Sequence, residues 1–342
     1  MILKIKEAAS RLNTTPRTIR FYEEKGLIQP EKGENDYRYY NEADLWKLQT
    51  ILALREVGMS TSKIKTTLQD ENEVRKYLNM QRSALYEEWL EIKDMISTLD
   101  QMLEQPSFSQ KDIFTLSNHL KDVKQKRKSW EDQWNFDSQA KDYDKSLKRS
   151  GFRFNVHEFY EEALGSAVGF VKPVEGETGL DIGIGTGNLA EKCFESGASM
   201  IGVDQSEEML KVCGEKHPTI DTRHGHFLAL PLMDKQVDFI VSSYALHHLT
   251  DEEKLLALQE MDRVLNDNGR IAIADLMFED EEQKEAVMDQ FEEEGNTEAI
   301  FAIRDEYYGL RSQLSGWFEQ HGYRVEVKRL SDILHVVYAV KV

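Results

Sequence analysis

Apolar and polar positions divide the chain into three stretches of different period. Up to about residue 70, apolar residues recur at helical spacing in short blocks separated by turn signals. Residues 6–13 (KEAASRLN) form one such block, and Thr14-Thr15-Pro16 ends it. Thr15 is placed to cap a second helix, with Pro16 at its first position, where a missing N–H costs nothing. That helix, PRTIRFYEEKG, is predicted to show Arg17, Arg20 and Tyr22 and to stop at Gly26. Residues 27–40 read as a short β-hairpin wing carrying Arg38, Tyr39 and Tyr40, followed by helices around 43–57 and 61–68. Helix, short turn, helix with exposed arginines is a helix-turn-helix pattern.

From residue 71 to about 105 the period changes to seven. Leu78, Leu85, Ile92 and Leu99 form one row, and Trp89, Ile96 and Leu103 fill the alternate one. A long helix cannot bury so narrow an apolar stripe by itself, which predicts pairing with a second copy or packing on the chain's own next domain. Pro106 should break this helix. Residues 107–134 read as a polar connector of one or two helices, with Lys124, Lys126, Arg127 and Lys128 on a solvated face.

Beyond residue 134 the pattern alternates short apolar runs with helical stretches, the signature of an α/β sheet. Its centre is Leu180-Asp181-Ile182-Gly183-Ile184-Gly185-Thr186-Gly187-Asn188: a buried strand's end, a glycine turn and a new helix. The glycines let the backbone approach a ligand, and the free N–H groups of the helix start face it. The following strand, Met200-Ile201-Gly202-Val203, ends in Asp204, whose carboxylate suits a pair of ribose hydroxyls. A dinucleotide fingerprint counted from Gly183 fails at Asn188, whereas counted from Gly185 it reaches Ala190, so spacing alone leaves a dinucleotide open. Asp181 argues against one: an acid at the strand tip repels pyrophosphate and suits the ammonium of an amino acid.

Composition narrows the partners. A chain of 342 residues suggests two or three domains, and no run approaches a membrane-spanning length. The start lacks the apolar core of a signal peptide, so a cytoplasmic location is expected. Cys193 and Cys213 have no metal-ligand spacing, which predicts neither disulfide nor metal site. Residues 1–70 hold 12 Lys/Arg against 10 Asp/Glu, leaving −21 of the −19 total to the rest. An acidic body repels phosphate backbones, so contact with nucleic acid should be confined to the first segment.

Two resemblances follow from these strings. The stretch TIRFYEEKGLIQP…YRYY…ADLWKLQTILALREVGMSTSKIKTTL resembles the winged helix-turn-helix of MerR-family transcription regulators over its whole length. The resemblance implies recognition of palindromic promoter DNA by Arg17, Thr18, Arg20 and Tyr22, with Arg38 and Tyr39 on the wing. It also implies a homodimer through an antiparallel coiled coil over 71–105. Phe21 stands where a tyrosine is usual, and Asp36 replaces the common glycine of the wing turn. Metal- and redox-sensing members place cysteines in the dimerisation helix; this one has none, which predicts an organic effector.

LDIGIGTGNLA followed by GVDQS resembles motif I and the acidic successor of class I S-adenosylmethionine (SAM) methyltransferases, and NFDSQAKDYD resembles their lead-in helix. The implied fold of residues 135–342 is a Rossmann-like α/β domain with a seven-stranded mixed sheet. SAM would then be held by Asp181, Gly183, Gly185, Gly187, Asp204, Gln205 and Ser242, with Tyr143 near its methionine end. Many relatives carry Gly-Asp, whose acid holds the adenine, where this chain has Gly225-His226; His226 is therefore either a contact to the base or an exposed loop residue, with Phe227 left to supply its backbone N–H and an apolar face. Ser242-Ser243-Tyr244-Ala245-Leu246-His247-His248 resembles motif IV of small-molecule enzymes and lacks the Pro-Pro string with which amino-directed nucleic-acid and protein enzymes hold a planar nitrogen. His247 or His248 is a candidate base, or else shapes the pocket floor. Residues 278–309 lie where such enzymes insert a substrate cover. The resemblance implies a regulator that methylates a small organic molecule or, alternatively, a sensor that binds SAM or an effector without turnover.

Overall fold

The computed structural model describes residues 2–33, 37–68, 71–104, 110–129, 133–147 and 154–342, in two compact units, Met1–Gln81 and Arg82–Val342. The division falls inside a helix rather than at residue 70: the first eleven residues of that helix group with the N-terminal unit, where Val74 and Tyr77 pack against its core. The predicted break at Pro106 and the wing turn at Asp36 lie outside the described residues.

The first unit contains β1 (Leu3–Lys4), α1 (Ile5–Arg11), α2 (Pro16–Glu24), β2 (Glu31–Lys32), β3 (Arg38–Tyr40), α3 (Glu42–Glu56) and α4 (Thr61–Thr67). α2 starts as its sequence predicts: Thr15 Oγ1 accepts the Thr18 N–H at 3.1 Å, and Pro16 takes the first position. Asn41 and Asp44 close a reciprocal capping box at the start of α3. The three strands pair antiparallel in the order β1-β3-β2. Ala8, Ile19, Tyr22, Leu48, Ile51 and Ile64 form the small core beneath them.

α5 (Glu71–Glu104) is one 34-residue helix. Leu85, Ile92, Ile96, Leu99 and Leu103 of its heptad rows are all more than half exposed. Trp89 departs from its row: it turns to the body, where the Arg263 guanidinium lies 5.2 Å from its ring. The basic cluster of α6 (Gln110–Ser129) is not a solvated face. Arg127 pairs with Asp94 and donates to Leu228 O, Lys126 bridges Asp122 and Glu252, and Lys124 and Lys128 both reach Glu91.

Two short helices, α7 (Phe136–Gln139) and α8 (Tyr143–Ser146), precede α9 (Tyr160–Val171) and the sheet. There follow β4 (Thr178–Ile182), α10 (Asn188–Phe194), β5 (Ser199–Asp204), α11 (Glu207–Lys216), β6 (Asp221–His224) and β7 (Val237–Ser243). A 3₁₀ turn (Leu246–His248) leads to α12 (Asp251–Val264) and β8 (Leu265–Phe278). α13 (Glu281–Glu293), α14 (Thr297–Asp305), β9 (Gly309–Leu310), α15 (Arg311–Gln320), β10 (Tyr323–Arg329) and β11 (Leu334–Lys341) complete the chain.

The main sheet runs β10-β11-β8-β7-β4-β5-β6, with β4 to β8 parallel and the last two strands antiparallel. The predicted seven strands gain an eighth, the two-residue β9 on β8. Period-two alternation feeds both faces. In β8, Ala272 and Ala274 point to the layer of α9 and α10, whereas Ile271 and Ile273 join Ala257, Met261 and Phe318 on the other side. From β4 the chain winds outward one way through β5 and β6 and returns to continue through β7 and β8. The crevice beyond the carboxyl ends of β4 and β7 is therefore the topological switch point, where ligands of such sheets sit.

Candidate functional site

A cleft opens at that switch point. The turn after β4 forms its floor, the ends of β5 and β7 its sides, and α7 and α8 its cover. Of the predicted cofactor residues, Tyr143, Gly183, Gly185, Asp204, Gln205, His226 and Phe227 line it, together with His248.

The glycine turn has the torsions its sequence demands. Gly183 has φ +71°, and a Cβ there would lie 2.5 Å from the Ala245 Cβ; Gly185 has φ +54° and open space where its side chain would be. Gly185 is thus the point at which a ligand meets bare backbone. Gly183→Ala is expected to combine a strained torsion with that clash, costing about 1–3 kcal/mol. An unchanged melting temperature would show that the turn relaxes freely.

Asp204 holds the turn from the next strand. Its Oδ2 accepts the Gly185 N–H at 2.8 Å, and its Oδ1 accepts the Ser206 N–H at 2.9 Å. A carboxylate oxygen can accept more than one hydrogen bond. Asp181 lies behind the turn rather than on the wall. It is 1% exposed, and neither carboxylate oxygen has a hydrogen-bond partner of sound geometry. Burial pushes its pKa up to about 8; the Ala190 amide pulls the other way, and the Asp204 charge adds to the rise.

Besides Asp181, three predicted positions are not on the cleft. Ser242 is fully buried and donates to Ile182 O at 2.8 Å, a strand-to-strand tie; its neighbour Ser243 is the one that lines the wall. Gly187 caps α10, and its α-carbon faces His217 and Cys213 instead. His247 sits one layer back. Its Nδ1 donates to Asp275 Oδ1 at 2.5 Å, and its Nε2 lies 3.6 Å from Glu306 Oε2. Burial opposes its charge, but Asp275 and Glu306 together raise its pKa. His248, against Trp134 and Phe136, is held neutral by burial. His226 is not the exposed loop residue its position allowed: burial lowers its pKa to about 4, and its Nε2 lies 3.8 Å from Glu87 of α5.

Several residues of the site escaped sequence reasoning. Asp144 ties the cover to the turn, accepting from Thr186 Oγ1 at 2.6 Å, Asn188 Nδ2 at 3.1 Å and Lys216 Nζ at 2.8 Å. Asp137 does the same at α11, accepting Ser206 Oγ at 2.6 Å. Their signal was present in the paired Phe-Asp and Tyr-Asp of residues 136–144. Tyr160 and Tyr244 form an aromatic wall, ring centroids 5.3 Å apart, that no spacing announced. Tyr244 is held at φ +49°, an uncommon torsion for a bulky residue and one that aims its ring at the cleft.

In the N-terminal unit, Arg17 and Arg20 are exposed on α2. Thr18 Oγ1 is shared with Thr15 Oγ1 at 2.8 Å. Tyr22 is a correction: it is 5% exposed and belongs to the core, because the apolar stripe of α2 passes through it and Ile19. Arg38 pairs with Glu23 at 2.6 Å, which fixes the wing against α2, and Tyr39 packs over Gly33.

Comparison with known proteins agrees with both units. Residues 180–273 match the methyltransferase domain family, and residues 3–71 match the MerR helix-turn-helix regulatory proteins. An uncharacterised methyltransferase of Alkaliphilus oremlandii is 34% identical over 207 residues, covering 60% of this chain and 95% of the relative. Another, of Oceanobacillus iheyensis, is 31% identical over 207 residues with the same coverage. The chain belongs to the methyltransferase family. Its methyltransferase domain follows a MerR-type helix-turn-helix. Among solved structures, the magnesium protoporphyrin IX methyltransferase of Synechocystis with bound SAH has a TM-score of 0.47 at 16% identity, covering 60% of this chain and 96% of that one. Among the described residues no helix is long and apolar enough to cross a membrane.

Proposed function

We propose that this methyltransferase binds SAM in the switch-point cleft and methylates a small organic molecule, while its MerR-type unit binds promoter DNA as part of a homodimer. The observation that carries the reading is the pairing of bare backbone at Gly185 with two acids, Asp204 at the rim and the orphaned Asp181 behind the turn. The group fits these residues: Asp204 would take the ribose hydroxyls, and Asp181 is the carboxyl whose charge the ammonium end would satisfy. Phe227 and His226 would flank the base, and Tyr143 the methionine end. SAM supplies an electrophilic methyl on a sulfonium. The chain's own work is then to orient donor and acceptor and exclude water, which α7, α8 and the aromatic wall are placed to do. The domains would be a DNA-reading head over 1–70, the dimerisation helix over 71–105, a connector over 106–134 and the methyltransferase over 135–342.

Calorimetry tests the first step: SAM should bind, and absence of heat at millimolar ligand would sink the reading. Transfer of tritium from labelled SAM to a metabolite extract tests turnover. The exposed apolar rows of α5 support the dimer, since a monomer would leave Leu85, Ile92 and Leu99 in water. Arg20→Ala should weaken binding to the upstream DNA of its own gene by about 1–3 kcal/mol in a band-shift assay. A shift that survives at wild-type concentration would move recognition elsewhere.

The sensor alternative also has an observation in its favour. The loop that would hold the base, residues 225–230, meets α5 through His226 and Glu87 and meets α6 through Arg127 and Leu228 O. Cofactor occupancy would then be felt along the dimerisation helix whether or not a methyl group moves. SAM binding with no labelled product in any extract would favour this reading.

A further inference from the structure

We propose that His247, His248 and Glu306 bind one divalent transition-metal ion beside the cleft, and that this ion selects a methyl acceptor bearing a thiol or hydroxyl. The second half rests on the methyltransferase reading above; the ion site itself does not. One ligand atom from each of the three side chains lies within 4.8 Å of the other two. They come from separate parts of the chain, the two histidines from the 3₁₀ turn after β7 and Glu306 from the segment after α14. The cysteine spacing that argued against a metal site says nothing about this set.

The surroundings are those of a metal-bound histidine. His247 commits Nδ1 to Asp275, which leaves Nε2 as the free ligand atom facing Glu306. A carboxylate on the far nitrogen fixes the ring and strengthens the near one as a donor. Asp275 cannot swing away, because its oxygens also accept the N–H groups of Ala245, Leu246 and Leu276 at 3.2, 2.6 and 2.7 Å. His248 Nδ1 is buried without a hydrogen-bond partner. A buried imidazole nitrogen left unpaired costs stability unless something completes it.

The two ligand-bearing segments are also clipped together. Tyr307 donates its N–H to His247 O at 2.9 Å, and the buried Lys254 donates to Leu249 O and Tyr307 O, each at 2.6 Å. With Asp275 and Glu306 against Lys254, the local charge favours a cation.

Two imidazoles and one carboxylate suit zinc, cobalt, iron or manganese better than calcium or magnesium, which take oxygen ligands. Three protein ligands leave a coordination position for an outside group. His248 lines the cleft, so the acceptor is the group within reach. A thiol or hydroxyl bound there would give up its proton to solvent before the cover closes, with no base from the protein. Its lone pair would then form the bond to the sulfonium methyl as the S–CH3 bond breaks, that bond's electron pair leaving with the sulfur as a neutral thioether.

The test uses the full chain, free of any tag and stripped by chelator, titrated with cobalt chloride while its visible absorption is followed. One equivalent should bind, with the intense visible bands of a low-coordinate site, and zinc chloride should displace it. His248→Ala and Glu306→Gln should each weaken binding by more than about tenfold, and Asp275→Asn by about 10–100-fold. Circular dichroism checks the fold, and Glu306→Gln, nearly the same shape, keeps the test valid if the histidine variant fails to fold. Lack of stoichiometric cobalt binding, or equal binding by all variants, overturns the site. SAM calorimetry on the same sample separates the two claims: SAM heat without cobalt binding removes only the ion, and cobalt binding without SAM heat removes only the donor reading.

Discussion

Asp204→Ala should lower the affinity for SAM at least about tenfold, or about 1.4 kcal/mol and more, as expected for a charge-assisted pair to a ribose. The structure adds a second route to the same loss. Asp204 accepts the Gly185 and Ser206 amides, so the alanine variant also frees the glycine turn and the start of α11. Asp204→Asn separates the two contributions, because its single carbonyl oxygen can keep only one of those amides and donates where the carboxylate accepted. Isothermal calorimetry on the three proteins measures both. Unchanged affinity in the alanine variant would mean that the ribose lies elsewhere in the cleft.

Asp181→Asn should move stability and affinity in opposite directions. The carboxyl of Asp181 titrates near 8 in the folded chain, against about 4 in an unfolded one. The fold therefore prefers its protonated form, and the stability this lends is complete below about pH 4 and lost as the pH rises through 8. Asparagine does not titrate, so the variant should match the wild type at low pH and melt roughly 2–4 °C or more higher at pH 8. Its affinity for SAM should nonetheless fall more than about tenfold, since the charge that the ammonium end needs is gone. For the wild type, affinity should climb between pH 6 and 8 with proton release. Melting temperatures that track each other at every pH would remove the burial argument, and undiminished affinity would remove Asp181 from the site.

Much of the architecture is legible in the sequence because it rests on local rules. Thr15 and Pro16 announce a helix start by the backbone groups they satisfy or lack, and the alternation in β8 follows from the pleat. The glycine turn and Asp204 were readable too, since only certain residues tolerate those torsions and that position. Tyr22 shows a local signal that the family resemblance overrode. It stands three positions after Ile19, on the apolar side of α2 and roughly 140–160° around the helix from Arg17 and Arg20, and the core formed with α1, α3 and α4 takes it in. Trp89 shows where local reading stops: its place in a heptad row predicts a partner helix, yet Arg263, 174 residues on, claims its ring.

From sequence alone followed the two kinds of unit, their order, the glycine turn and the acid that follows it, all set by interactions among residues near in the chain. Tertiary structure alone decided that Asp181 is orphaned, that Ser242 and His247 stand behind the wall, and that Asp275 and Glu306 converge on two histidines. Burial and long-range convergence depend on how strands far apart in sequence are ordered in the sheet, and that order places the ends of β7 and β8 side by side.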